Sequence, residues 1–130
     1  MSHHVTISLT NIDQDVKVSA SEMELEEAFF NIMNNGITAM ERGGALTITS
    51  EIDESKQRVM VNITDKGKGF SKDNISKALA GVLKSEEDGR LAMGLFLAKY
   101  RVEQHGGDIT IQSKVGKGTT VTVALPCVSS

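Results

Sequence analysis

The chain has one cysteine, one proline, one tyrosine and no tryptophan in 130 residues. A single thiol, Cys127, cannot close an internal disulfide, so a disulfide-stapled scaffold is excluded and a reducing, cytoplasmic location is expected. No linker, repeat or low-complexity stretch divides the sequence, so residues 5–126 are expected to form one domain with a short tail at 127–130. No apolar run approaches the roughly 20 residues of a membrane helix, which leaves open an anchor elsewhere in a longer protein. Nor is there a block of Lys or Arg. With a net charge of −3, a generic grip on a phosphate backbone is disfavoured, and no nucleic acid partner is expected. Residues 1–4, Met-Ser-His-His, are polar and read as a cloning remnant, not a signal peptide. Apolar heptads are missing too, so the isolated domain is expected to be a monomer.

What is present is an ordinary globular balance, 39% hydrophobic and 24% charged. Val5, Ile7 and Leu9 alternate with polar residues, as in a half-buried strand, and Val16 and Val18 continue that alternation. Residues 21–40 change to helical periodicity, with Leu25, Ala28 or Phe29, Ile32, Gly36 and Ala39 or Met40 on one stripe. Ser21 and Glu24 have the form of a capping box, and Gly43-Gly44 ends the helix. Strands follow at 45–52 and 59–64. Ile75, Ala78, Leu79, Val82 and Leu83 predict a second helix, and residues 93–104 a third, stopped by Gly106-Gly107. Residues 84–90 are charged and read as a surface loop. A final hairpin spans 109–113 and 119–125. Strands apolar on one side call for a sheet buried on one face. The expected fold is α+β: a two-layer sandwich with a mixed, mostly antiparallel sheet of about five strands and three helices on one face.

Four motifs carry chemistry. Glu27, Asn31 and Asn35 are spaced by four and share one helix face. Asparagine disfavours helix interiors, so this row is either a solvated polar face or a Mg²⁺ and phosphate site. Asp65-Lys66-Gly67-Lys68-Gly69-Phe70 links a strand to a helix. It is either a tight turn or a loop whose glycines admit a flat ligand, with Asp65 accepting from an exocyclic amino group. Gly94 opens the third helix, where free N–H groups suit phosphate. Gly116-Lys117-Gly118-Thr119 joins the last two strands and is by itself a hairpin turn.

Taken in order, these motifs resemble the ATP-binding catalytic domain of sensor histidine kinases, in the superfamily of gyrase, the Hsp90 chaperone and MutL. The resemblance covers roughly residues 5–126. Asn31-Ile32-Met33-Asn34-Asn35 is similar to the asparagine box, which implies nucleotide contact at Asn31 and a Mg²⁺ ligand at Asn35. It implies a catalytic role for Glu27, activating the phosphoacceptor. Asp65, Gly67 and Gly69 match the first glycine box, with Asp65 implied to bind the adenine amino group. His105-Gly106-Gly107-Asp108-Ile109 and the stretch from Gly116 through Thr119 to Pro126 resemble the kinase subgroup's C-terminal hairpin.

Three positions depart from the pattern. Gly89-Arg90-Leu91-Ala92-Met93-Gly94 keeps only Gly94 of the second glycine box. Arg90 there either stiffens the phosphate cradle or itself meets a phosphate. Ala80-Gly81-Val82-Leu83 stands where a phenylalanine-rich box is usual, and Gly36 where alanine is usual. The resemblance implies ATP and Mg²⁺ as cofactors and two partners: a histidine-bearing dimerisation domain and a response-regulator receiver domain. None of His3, His4 or His105 is expected to accept the phosphoryl group, so the isolated chain is expected to bind ATP without autophosphorylating. Alternatives are a degenerate nucleotide-binding or interaction module, and an anti-sigma-type serine kinase.

Overall fold

The computed structural model describes residues 5–10, 22–40, 43–53, 55, 57–84 and 89–126. Eight elements follow one another: β1 (Val5–Thr10), α1 (Glu22–Ala39), β2 (Gly44–Asp53), β3 (Arg58–Asp65), α2 (Lys72–Ala80), α3 (Gly94–Gln104), β4 (Asp108–Lys114) and β5 (Gly118–Pro126). The strands make one sheet in the order β1-β2-β3-β5-β4. β1 runs parallel to β2, and every other pairing is antiparallel. The expected mixed sheet with three helices is therefore present. Val16, Val18 and Ser21, the capping half of the expected box with Glu24, fall outside the described residues.

One sheet face is apolar because the alternation of neighbouring strands falls in register. Ile48, Ile63, Val121 and Ile111 lie in one row across four strands. Val59, Val123 and Leu125 extend that face, and Ala28, Ile32, Leu95, Ala98 and Val102 cover it from α1 and α3. Ile32, Leu46, Val102 and Val123 are the largest fully buried side chains; burying each contributes about 1.5–3 kcal/mol. The opposite face is hydroxyl-rich. Asn62 Nδ2 donates to Thr49 Oγ1 at 3.3 Å, Thr122 Oγ1 to Asn62 Oδ1 at 2.7 Å, and Thr64 and Thr120 hydroxyls meet at 3.0 Å.

α2 packs against α3 and is shorter than its periodicity predicts. Ser71 Oγ caps it by accepting from the Asn74 N–H at 3.1 Å. Gly81, at φ 75°, stops it, and its N–H donates to the Ala78 carbonyl. Val82 and Leu83 thus fall beyond the helix, and Val82 is 56% exposed. A left-handed glycine overrode an apolar spacing that would have carried the helix on. No described helix is long and apolar enough to cross a membrane.

The loop after β3 is held by its glycines. Gly69 has φ 73°, and a Cβ there would lie 2.1 Å from the Lys114 carbonyl oxygen. Gly69→Ala is expected to destabilise the domain by about 2 kcal/mol, combining left-handed strain with a backbone clash. Gly116 is the control: φ is 80°, yet nothing lies within 4 Å of its would-be Cβ. Gly116→Ala should cost only about 1 kcal/mol. Urea denaturation of both variants checks this, and equal costs would rule out the clash.

Candidate nucleotide-binding site

Asp65 is the last residue of β3 and pairs with Thr119 of β5. Both lie on the helix-covered side, 5% and 3% exposed. The Gly67 N–H donates to Asp65 Oδ1 at 2.8 Å, and the Thr119 backbone N–H also reaches the carboxylate. Burial pushes the Asp65 pKa up, and these two backbone N–H groups pull it part of the way back. No cation pairs with it among the described residues. A desolvated carboxylate keeps acceptor sites beyond two backbone bonds, and so suits a ligand that brings N–H donors of its own.

α1 reaches this carboxylate through a missing side chain. A Cβ on Gly36 would stand 3.4 Å from Asp65 Oδ2 and 2.8 Å from Leu46 Cδ1. The loop beyond Asp65 is tied on both sides. The Lys68 N–H donates to the Ala39 carbonyl at 3.2 Å, and the Gly116 N–H to the Lys68 carbonyl at 2.7 Å. Ser113 Oγ accepts from the Phe70 N–H at 2.7 Å and meets Thr119 Oγ1 at 2.7 Å. The space a Cβ would take at Gly67 and Gly69 is filled by the backbone of Ala39 and Lys114. These two glycines therefore let the loop close on the protein itself, which a reading of the sequence as a ligand-facing turn did not anticipate.

Asn31, the first of the asparagine box, meets the start of α3. A Cβ on Gly94 would lie 3.7 Å from the Asn31 carbonyl oxygen and 3.8 Å from Asn31 Cβ, so the two helices touch at that point. Asn31 and Asn35 are half-buried and Asn34 exposed. Neither Asn31 nor Asn35 makes a side-chain hydrogen bond to another described residue. Two half-buried amides without a side-chain partner among the described residues leave their oxygens available.

One turn earlier, Glu27 is exposed and meets Arg101 Nη2 of α3 at 3.5 Å. Arg101 Nη1 lies 3.4 Å from Glu24, whose other oxygen is 3.8 Å from His105 Nε2. His105 Nδ1 lies 2.7 Å from the Arg101 carbonyl, so this ring belongs to the helix end. Such partly exposed pairs contribute about 0–1 kcal/mol each; their effect is to set Glu27 against α3. Arg90 is exposed on the segment preceding α3, where Lys84 bridges Leu91 and the Ala92 N–H donates to the Leu83 carbonyl at 2.7 Å.

The structure thus gathers Asp65, Gly67, Gly69 and Thr119 at one end of the sheet, and Asn31 and Gly94 where α1 meets α3. Glu27 lies further along α1, and Arg90 outside the buried cluster. Ser113 and Arg101 had no signal of their own. A serine at a strand end and an arginine in a helix acquire meaning only once β4–β5 register and α1–α3 packing are known.

A buried acceptor at a strand end, glycine-tied loops and two paired helices on one sheet face define a nucleotide-site sandwich of the ATPase type. The chain matches the family described as histidine kinase-, DNA gyrase B- and HSP90-like ATPase over residues 20–129, and it belongs to that family. It is 29% identical to sensor histidine kinase WalK of Bacillus subtilis over 95% of its own length and 21% of that protein's. It is 30% identical to sensor histidine kinase ZraS of Escherichia coli over 96% of the chain and 26% of that relative. The chain therefore spans about a quarter of the curated relatives it matches. Among solved structures it resembles the nucleotide-free catalytic domain of histidine kinase ThkA, with TM-score 0.78 at 20% identity, covering 94% of this chain and 80% of that one. Full-length ShkA in complex with AMPPNP also matches, with TM-score 0.78 at 19% identity, over 98% of this chain and 26% of that one.

Proposed function

We propose that this chain is the ATP-binding catalytic domain of a two-component sensor histidine kinase, acting within a longer protein. The observation that carries the reading is Asp65: a buried carboxylate with backbone donors and no cation partner among the described residues, approached by Gly36 of α1, the helix whose Asn31 meets Gly94. Asp65 accepts from the adenine amino group, and Gly67, Gly69 and Thr119 hold it in place. Asn31 and the N-terminus of α3 at Gly94 face the phosphates, and Arg90 adds a positive charge to that side.

Mg²⁺ fits the donor set. Among the described residues no cluster of three His, Cys, Asp or Glu could cage a metal, but one neutral amide oxygen at Asn35 suffices when phosphates complete the shell. The ion would supply charge neutralisation for phosphoryl transfer. In that transfer the bond from γ-phosphorus to the β-phosphate oxygen breaks and a bond to an imidazole nitrogen forms. Glu27 takes up or polarises the imidazole N–H, and ADP leaves. The accepting histidine stands on an adjoining dimerisation domain, and a response-regulator receiver domain takes the phosphoryl group next. His105 is not that acceptor, since its side chain is 8% exposed and bonded to its own helix end.

Calorimetry with ATP, with and without Mg²⁺, tests the reading. Binding that Mg²⁺ strengthens is expected, and Asn35→Ala should remove the Mg²⁺ response while sparing the adenine contribution. A folded chain silent toward ATP would refute the reading in favour of a degenerate module.

A further inference from the structure

Across the sheet end that carries Asp65 and Thr119, and lined in part by both, lies an open cleft of about 350 Å³. Thr64, Thr120 and Gln112 form one row across β3, β5 and β4, with Lys114 and Lys117 also lining the cleft. Gly118, the partner of Lys114, packs against the backbone of Asp65 and Lys66 and so ties the hairpin to the loop after β3.

Four lysines converge at this end of the molecule: Lys66 and Lys68 on the loop after β3, Lys114 and Lys117 on the β4–β5 hairpin. The two loops are joined by the bond from the Gly116 N–H to the Lys68 carbonyl. All four are exposed, and none forms an ion pair with a described residue. By contrast, Lys77, Lys99, Arg58 and Arg101 each have an acidic partner. The single acid in these loops, Asp65, is buried. Val115, 71% exposed between the two hairpin lysines, adds a small apolar contact.

We infer that this cleft and its lysines dock an acidic segment of a partner protein alongside the proposed nucleotide site. Carboxylates suit both parts of the surface. Lysines give them charge-assisted hydrogen bonds, and the hydroxyls and the Gln112 amide supply neutral donors. The rest of the chain selects the kind of polyanion. Setting these four aside, ten Lys and Arg remain against seventeen Asp and Glu. An extended anionic surface, such as a lipid bilayer or a duplex, would meet that acidic remainder, whereas a short acidic segment meets only the patch.

The test is titration of the ¹⁵N-labelled full chain with a hexaglutamate peptide. Amide shifts confined to the Thr64–Lys68 and Gln112–Thr120 stretches are expected, with Asn31 and Gly94 unmoved. Affinity should fall about tenfold or more as salt rises from about 50 to about 300 mM, since exposed charges are screened. Lys114→Gln/Lys117→Gln should weaken binding at least about tenfold, and Lys114→Arg/Lys117→Arg should retain it, because the two replaced ion contacts together contribute about 1.4 kcal/mol or more. Shifts that are absent or spread evenly over the surface would overturn the inference. So would equal affinity in the glutamine variant, stronger binding to phosphatidylserine vesicles than to the peptide, or displacement of the peptide by equimolar pyrophosphate.

Discussion

Glu27→Gln is expected to lower phosphoryl transfer to the histidine domain by about 10²- to 10⁴-fold, the usual contribution of a positioned general base. ATP affinity should stay unchanged, because Glu27 lies away from the Asp65 cluster and pairs instead with Arg101 at 3.5 Å. The fold should be equally unaffected. A half-exposed ion pair contributes little, and glutamine keeps the length and the hydrogen-bonding oxygen. Single-turnover phosphotransfer in the full-length protein, alongside calorimetry with ATP, separates these effects. A variant that transfers phosphate at the parental rate would remove Glu27 from the chemistry while leaving the nucleotide assignment intact. Loss of ATP binding together with transfer would instead make Glu27 part of the phosphate site.

Asp65→Ala should weaken ATP binding by about 1.5–3 kcal/mol, or ten- to 150-fold, through loss of a buried acceptor. Binding unchanged from the parent would overturn the adenine assignment. The same carboxylate makes a second, opposite prediction for stability. Burial raises its pKa in the folded state, more than its bonds to Gly67 and Thr119 lower it. The native state therefore holds the proton more tightly than the unfolded chain does. Stability from this group is complete below the unfolded carboxylate value and is lost as pH climbs through the raised one. Asp65→Asn should flatten that decline, so that near neutral pH the variant gains stability relative to the parent while binding ATP more weakly. Urea midpoints across the acid range check it. A parental decline that persists in the asparagine variant would assign the titration to another group. The pairing of a destabilising group with a binding role would explain why a buried acid stands where an amide would fold better.

Much of the architecture was legible along the chain. Val59, Val61 and Ile63 announced β3, and Ala28, Ile32 and Met40 announced the buried stripe of α1, because periods of 2.0 and 3.6 residues are local properties. α2 was less legible. Its apolar spacing ran on to Leu83, but Gly81 takes a left-handed conformation that ends it. Nor did composition indicate how Gly67 and Gly69 are used. Their missing side chains make room for Ala39 and Lys114, contacts across 28 and 45 residues of sequence that no local pattern encodes.

The sequence by itself determined the element types, the one-sided burial of the sheet, the order of the Asn31–Asn35, Asp65–Phe70 and Gly94 motifs, and the membership of a family that those motifs define. Only the tertiary structure decided which of these residues meet. Asp65 finds Thr119 because β3 and β5 pair in one register, and Asn31 finds Gly94 because α3 packs along α1. Glu27 finds Arg101 for the same reason, and four lysines from two distant loops reach one sheet end because Gly116 bonds to Lys68. Register and helix packing are chosen by the burial of whole apolar faces, a free energy summed over the molecule and carried by no single segment of it.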